Sequence, residues 1–122
     1  MLAAIVTVGC GGFIGAALRY CVQSMPLFDG IGYAATFTVN IAGSFIIGAA
    51  WIILSNFFPT DSGVYTFAVP GILGGFTTYS SFSLDFVKLM QAGTLLPEHI
   101  AWLHWQAVLR PVCLECMLLR VF

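Results

Sequence analysis

Charge is what this chain has least of. Its 122 residues include 4 Lys or Arg and 5 Asp or Glu, a charged fraction of 7% and a net charge of −1. Soluble domains carry about 25%. There is no basic run, so no nucleic-acid partner is expected. No acid lies in Met1–Cys21, and none lies in the apolar stretches before Asp85. A carboxylate-driven proton relay is therefore not evident. Paired carboxylates, a Ser/His/Asp set and a phosphate loop are also lacking, and the chain is not expected to be an enzyme. The four cysteines (Cys10, Cys21, Cys113 and Cys116) all fall in apolar stretches and make no secreted disulfide framework. Cys113-Leu-Glu-Cys116 with His99 and His104 lacks the second pair that would make a zinc motif strong. No basic segment precedes the first apolar run, which is longer than a signal peptide's core, so it reads as a retained span.

What is present is apolar: 60% of the residues are hydrophobic. The chain reads as one all-α integral membrane domain, residues 1–122, with spans at about 2–21, 33–54 and 64–87 and a tentative fourth at 100–122. Val64–Leu84 has 21 residues without a charge, enough to cross a hydrocarbon layer of about 30 Å as a helix. Its middle, Gly71–Ser83, is unlike a greasy helix. Gly74-Gly75 weakens it, and Pro70 frees a carbonyl one turn earlier. The expectation is a helix broken at the glycine pair. A break at membrane depth survives only where protein, an ion or a water-filled path covers it; a kinked packing helix would use the same small residues.

Gly11, Gly15 and Arg19 share one face of the first span. The glycines permit close helix approach, and Arg19 either snorkels to the headgroups or serves as a buried charge. Thr36, Asn40, Ser44 and Gly48 form a polar stripe on the second span. An amide in hydrocarbon needs a partner, so Asn40 is either interhelical glue or part of a polar path. Tyr79 and Phe82 fall on one helix face, with Thr77 and Ser80 on an adjacent one. The tail Ile100–Phe122 carries His104, Arg110, Pro111, Glu115 and Arg120, a poor composition for a span. Basic residues are distributed with so little bias that the chain can insert in both orientations, and two copies can pair about an axis in the membrane plane.

Three segments carry a resemblance: Gly11-Gly-Phe-Ile-Gly-Ala-Ala-Leu-Arg-Tyr20, Thr38-Val-Asn-Ile-Ala-Gly-Ser44 and Gly74-Gly-Phe-Thr-Thr-Tyr-Ser-Ser-Phe82. In this order and spacing they resemble the small fluoride channel family, the CrcB or Fluc proteins, over about residues 1–93. The resemblance implies a four-span subunit with a broken third helix, assembled as an antiparallel, dual-topology homodimer in the lipid bilayer of the bacterial inner membrane. It implies passive export of fluoride through two pores, relieving toxicity. It also implies a structural sodium ion at the dimer axis, held by the backbone carbonyls of Gly74 and Thr77. The pore asparagine falls on Asn40, the paired pore aromatics on Tyr79 and Phe82, the pore hydroxyls on Ser80 and Ser81, and the structural arginine on Arg19. Two positions depart from the pattern. Tyr79 stands where the family has phenylalanine, and Ile100–Phe122 finds no match, as a divergent tail or a displaced reading frame would give. Two other functions fit a chain of this size: a small dual-topology drug exporter, which wants a carboxylate in the first span, and a non-transporting membrane assembly protein.

Overall fold

The structure, a computed structural model, describes residues 1–93 and 97–119, and the described residues are helical or in short turns. Helix α1 (Leu2–Gln23) is followed by a short 3-10 turn and α2 (Gly32–Phe57). The third segment is composite: α3 (Gly63–Thr66), a π-helical stretch (Phe67–Leu73), α4 (Gly74–Phe76), two extended residues, and α5 (Tyr79–Gln91). Helix α6 (Pro97–Leu119) closes the described chain. Helices α1 and α2 are long and apolar enough to cross a bilayer.

Local chemistry explains most of these boundaries. Ser62 caps α3, its Oγ accepting from the Tyr65 amide at 3.2 Å. Pro70 sits inside the π-helical stretch, where the wider winding accommodates a residue that has no amide proton and crowds the carbonyl four residues back. At the end of α5, Gly93 has φ 67°, the left-handed conformation that glycine adopts without penalty past a helix end. Pro97 opens α6, where its fixed φ suits the first helical position.

Two interfaces hold the subunit together. One is backbone on backbone. The only buried residues of α1 are Gly11 and Gly15, and they face the π-helical stretch and α4. A β-carbon added at Gly75 would lie 2.5 Å from the Gly12 carbonyl oxygen and 2.9 Å from its Cα. The glycine pair is therefore a contact surface of the small-residue kind. It is not where the helix breaks: Gly74 has φ −65° and ψ −35°, helical values. The break lies further on, at Thr77 (ψ 152°) and Thr78 (φ −150°, ψ 113°). Glycine permits a break but does not compel one, and here the glycines are held helical by the close seat of α1.

The other interface is the inner face of α2, made of Ala35, Thr36, Val39, Asn40, Gly43, Ser44 and Gly48, which packs against α5 and α6. The tail expected to be a poor span begins its helix at Pro97 and continues through Pro111. Arg110 is exposed; the side chains of Cys113, Glu115 and Cys116 and all of Arg120 lie outside what is described. The outer surfaces are apolar: Phe13 is 77% exposed and Phe57 75%. Water would not tolerate such a continuous apolar exterior, whereas lipid would.

Candidate functional site: a splinted helix break

The break at Thr77–Thr78 leaves backbone groups without helical partners, and Asn40 supplies replacements. The side chain is 5% exposed. Its Oδ1 accepts from the Thr78 amide at 2.7 Å, and its Nδ2 donates to the Thr78 carbonyl at 2.9 Å. One side chain thus satisfies both polar groups of one residue, as a neighbouring strand would. The hydroxyl of Thr78 then caps α5, Oγ1 accepting from the Ser81 amide at 3.1 Å. It also lies 3.1 Å from the hydroxyls of both Ser80 and Ser81. Thr77 turns back, its amide and its hydroxyl each donating to the Leu73 carbonyl at 3.1 Å.

These bonds redirect two amides. The Thr78 amide would close a helical ring onto the Gly74 carbonyl, but goes to Asn40. The Ser81 amide would reach the Thr77 carbonyl, but goes to the Thr78 hydroxyl. Both carbonyls, the pair singled out from the sequence as cation ligands, lose the amides a continuous helix would give them. Hard, neutral oxygens of this kind suit a hard cation. Gly74 is exposed and Thr77 half-buried.

Beside the break lies a cavity of about 250 Å³, lined by Asn40, Ser44, Ile47, Thr77, Thr78, Tyr79, His104, Trp105 and Val108. Among the described residues its wall carries amide, hydroxyl, imidazole and aromatic groups and no carboxylate, ammonium or guanidinium. Phe82 is buried and stacks on His104, with ring centroids 4.0 Å apart and planes 14° from parallel. Phe37, Phe82, Asp85 and His104 help enclose a second, smaller cavity of about 10 Å³. There the Thr36 hydroxyl donates to Asp85 Oδ2 at 2.6 Å, tying α2 to α5.

The residues singled out from the sequence are therefore distributed unevenly. Asn40, Thr77 and Tyr79 border the larger cavity, and Phe82 lies one layer behind. Tyr79 keeps its ring 5.9 Å from that of Phe82, yet it is 68% exposed on the subunit's surface. Ser80 is exposed and Ser81 half-buried, and both hydroxyls serve the cap of α5. Arg19 is half-buried, apart from both cavities, with its Nε enclosed and without a hydrogen-bond partner among the described residues.

Sequence reasoning missed two participants. Thr78 was legible only as one candidate cap, threonine being a favoured residue just before a helix. His104 was not, because nothing in a tail of irregular composition says which of its polar residues turns inward. It is 6% exposed, its Nε2 lies 3.2 Å from Asn40 Nδ2, and Phe37 flanks it at 5.3 Å. His99 is exposed, so the two histidines do not converge.

Comparison with known proteins gives this site a family. Relatives named "Fluoride-specific ion channel FluC" include one from Ruminiclostridium cellulolyticum, 44% identical over 91 residues, covering 73% of this chain and 70% of the relative. Another, from Clostridium novyi, is 40% identical over 93 residues, covering 75% and 73%. A third, from Helicobacter pylori, is 45% identical over 87 residues, covering 66% and 65%. The sequence pattern of the family described as "CrcB-like protein, Camphor Resistance (CrcB)" matches residues 6–117. That span reaches into α6, whereas the matches to these relatives cover 66–75% of the chain. The chain belongs to the CrcB-like family of membrane proteins.

Proposed function

We propose that this chain is a fluoride-selective ion channel that lets fluoride leave the cell passively and so relieves its toxicity. The observation that carries this reading is the cavity at the helix break, whose described lining is polar but uncharged. Fluoride is small and strongly hydrated, so removing its water in a low-dielectric passage is very costly unless something replaces it. A fixed cation on the wall would trap the ion; neutral donors and the positive edges of aromatic rings compensate without holding it. The cavity offers hydroxyls, an imidazole and the ring of Tyr79 on its wall, with Asn40 holding the break beside them.

The functional unit is an antiparallel homodimer of four-span subunits in the bacterial inner membrane. Large exposed apolar side chains on α1 and α2, the exposed Tyr79 at the cavity mouth and the two freed carbonyls support this. Two oxygens cannot enclose a hard cation, which takes several oxygen ligands. Gly74 and Thr77 from each of two subunits bring four. A sodium ion held there stabilises the paired breaks and raises the local potential for an anion. The drug-exporter reading wants a carboxylate in the first span, and Leu2–Gln23 has none. Against a purely architectural role stands the cavity itself, which a packing device would fill.

The test is fluoride efflux from liposomes containing the purified chain, with chloride as control. Fluoride release well above that of empty vesicles, without chloride release, is the expected result. Release no faster than from empty vesicles refutes the proposal.

A further inference from the structure

The hydrogen bonds around Asn40 determine where the proton of His104 sits. The backbone amide of Thr78 can only donate and its carbonyl can only accept, so Oδ1 and Nδ2 of Asn40 are placed without ambiguity. One Nδ2 proton goes to the Thr78 carbonyl. The other points to His104 Nε2 at 3.2 Å. An amide nitrogen does not accept, so Nε2 must present its lone pair. A neutral imidazole then carries its proton on Nδ1. That Nδ1 is enclosed, and it has no hydrogen-bond partner among the described residues. The side chain borders both cavities. Native proteins seldom leave a buried donor unpaired without reason.

We infer that His104 is an anion-binding residue of the conduit, its Nδ1–H donating to a partly dehydrated fluoride ion while Asn40 holds the imidazole in the tautomer that makes this possible. The inference rests on the channel reading above and adds the residue and the atom. Each amide proton of Asn40 is committed within the protein, so Asn40 reaches the ion through the imidazole. Donation into Nε2 polarises the ring and makes Nδ1–H a better donor. The near-parallel stack places the ring of Phe82 against that of His104, and both residues line the smaller cavity. A neutral donor binds fluoride without the full positive charge that would retain it.

The chain has two histidines, which makes the atom directly observable. The full-length protein is reconstituted in liposomes with 15N-labelled imidazoles. His99→Gln removes the other signal; His99 is exposed and lines neither cavity. The expected spectrum shows His104 protonated at Nδ1 and bare at Nε2. Sodium fluoride shifts the Nδ1 resonance saturably, and sodium chloride at equal concentration does not. A proton on Nε2, or an Nδ1 signal indifferent to fluoride, overturns the inference; the latter leaves only a bound water on that atom. In flux assays, His104→Gln keeps an amide oxygen for Asn40 but loses the Nδ1-side donor. Fluoride efflux is expected to fall about tenfold, the order set by one hydrogen bond to a charged partner. His104→Asn places an amide near Nδ1 and is expected to recover part of it. A Gln variant that conducts like the unaltered chain also overturns the inference. The two readings fail separately. Fluoride bound at Nδ1 with no efflux sinks the channel reading alone, whereas efflux with an indifferent Nδ1 sinks this one alone.

Discussion

Replacing Asn40 with leucine tests the splint most directly. The change keeps roughly the volume and removes three hydrogen bonds: Thr78 amide to Oδ1 at 2.7 Å, Nδ2 to the Thr78 carbonyl at 2.9 Å, and Nδ2 to His104 at 3.2 Å. Thr78 is 8% exposed, so water does not readily step in. Each buried polar group left unpaired costs about 1–3 kcal/mol. If the break stays open, two orphaned backbone groups cost at most the plain sum of about 2–6 kcal/mol, reduced because they are neighbours. The Thr78 amide then exchanges with solvent about 5- to 150-fold faster, at about 1.4 kcal/mol per factor of ten. The chain has another way out. Thr77 and Thr78 can return to helical geometry, pairing the Thr78 amide with the Gly74 carbonyl. The loss then falls toward the roughly 0.6–1.7 kcal/mol of an ordinary polar contact between membrane helices. Amide exchange combined with backbone chemical shifts at Thr77 and Thr78 separates the outcomes: fast exchange with extended shifts, or slow exchange with helical ones. A variant in which Thr78 stays both protected and extended would refute the splint.

Other consequences are sharper in pairs. Gly75→Ala puts a methyl 2.5 Å from the Gly12 carbonyl oxygen, so α1 must move, whereas at Gly74 the nearest atom is Val69 O at 3.8 Å. Denaturation in detergent should show a loss of about 1–3 kcal/mol for the first and a change within about 0.5 kcal/mol for the second; equal effects would contradict the packing described. Thr78→Val removes the cap of α5, at about 1 kcal/mol, and should speed exchange of the Ser81 amide about fivefold, with Thr78→Ser restoring it. Replacing sodium by a bulky organic cation should abolish fluoride efflux and weaken the dimer, and undiminished efflux would dismiss the proposed axial ion.

How much of this was legible beforehand follows from what each residue's role depends on. The spacing of Gly11 and Gly15, and of Thr36, Asn40 and Ser44, follows from helical geometry alone, and those stripes face inward. The all-helical character followed from long uncharged stretches. The position of the break did not follow from backbone preference. Gly74 and Gly75 are intrinsically the weakest helix formers there, yet tertiary contact with α1 holds them helical. Thr77 and Thr78 leave the helix because a side chain 38 residues away offers better partners. Threonine at 78 is compatible with a cap for the helix restarting at Tyr79, but only the fold shows that the two ends are bridged by Asn40. His104 was hidden for a related reason. Its partners, Asn40 and Phe82, come from two other helices, and no local periodicity in Pro97–Leu119 distinguishes it.

The seat of α1 bears on the order in which the subunit is built. Its closest neighbours lie across α2 in sequence, in Phe67–Phe76, and its contact with α2, the next helix along, is slight. A nascent chain that has delivered only its first two hydrophobic rods to the bilayer therefore holds a loose pair, with bare glycine backbone and no mate for it. The third segment must arrive before that glycine backbone is covered. Biogenesis of this small protein is then a late zippering event, completed only after most of the polypeptide has left the ribosome.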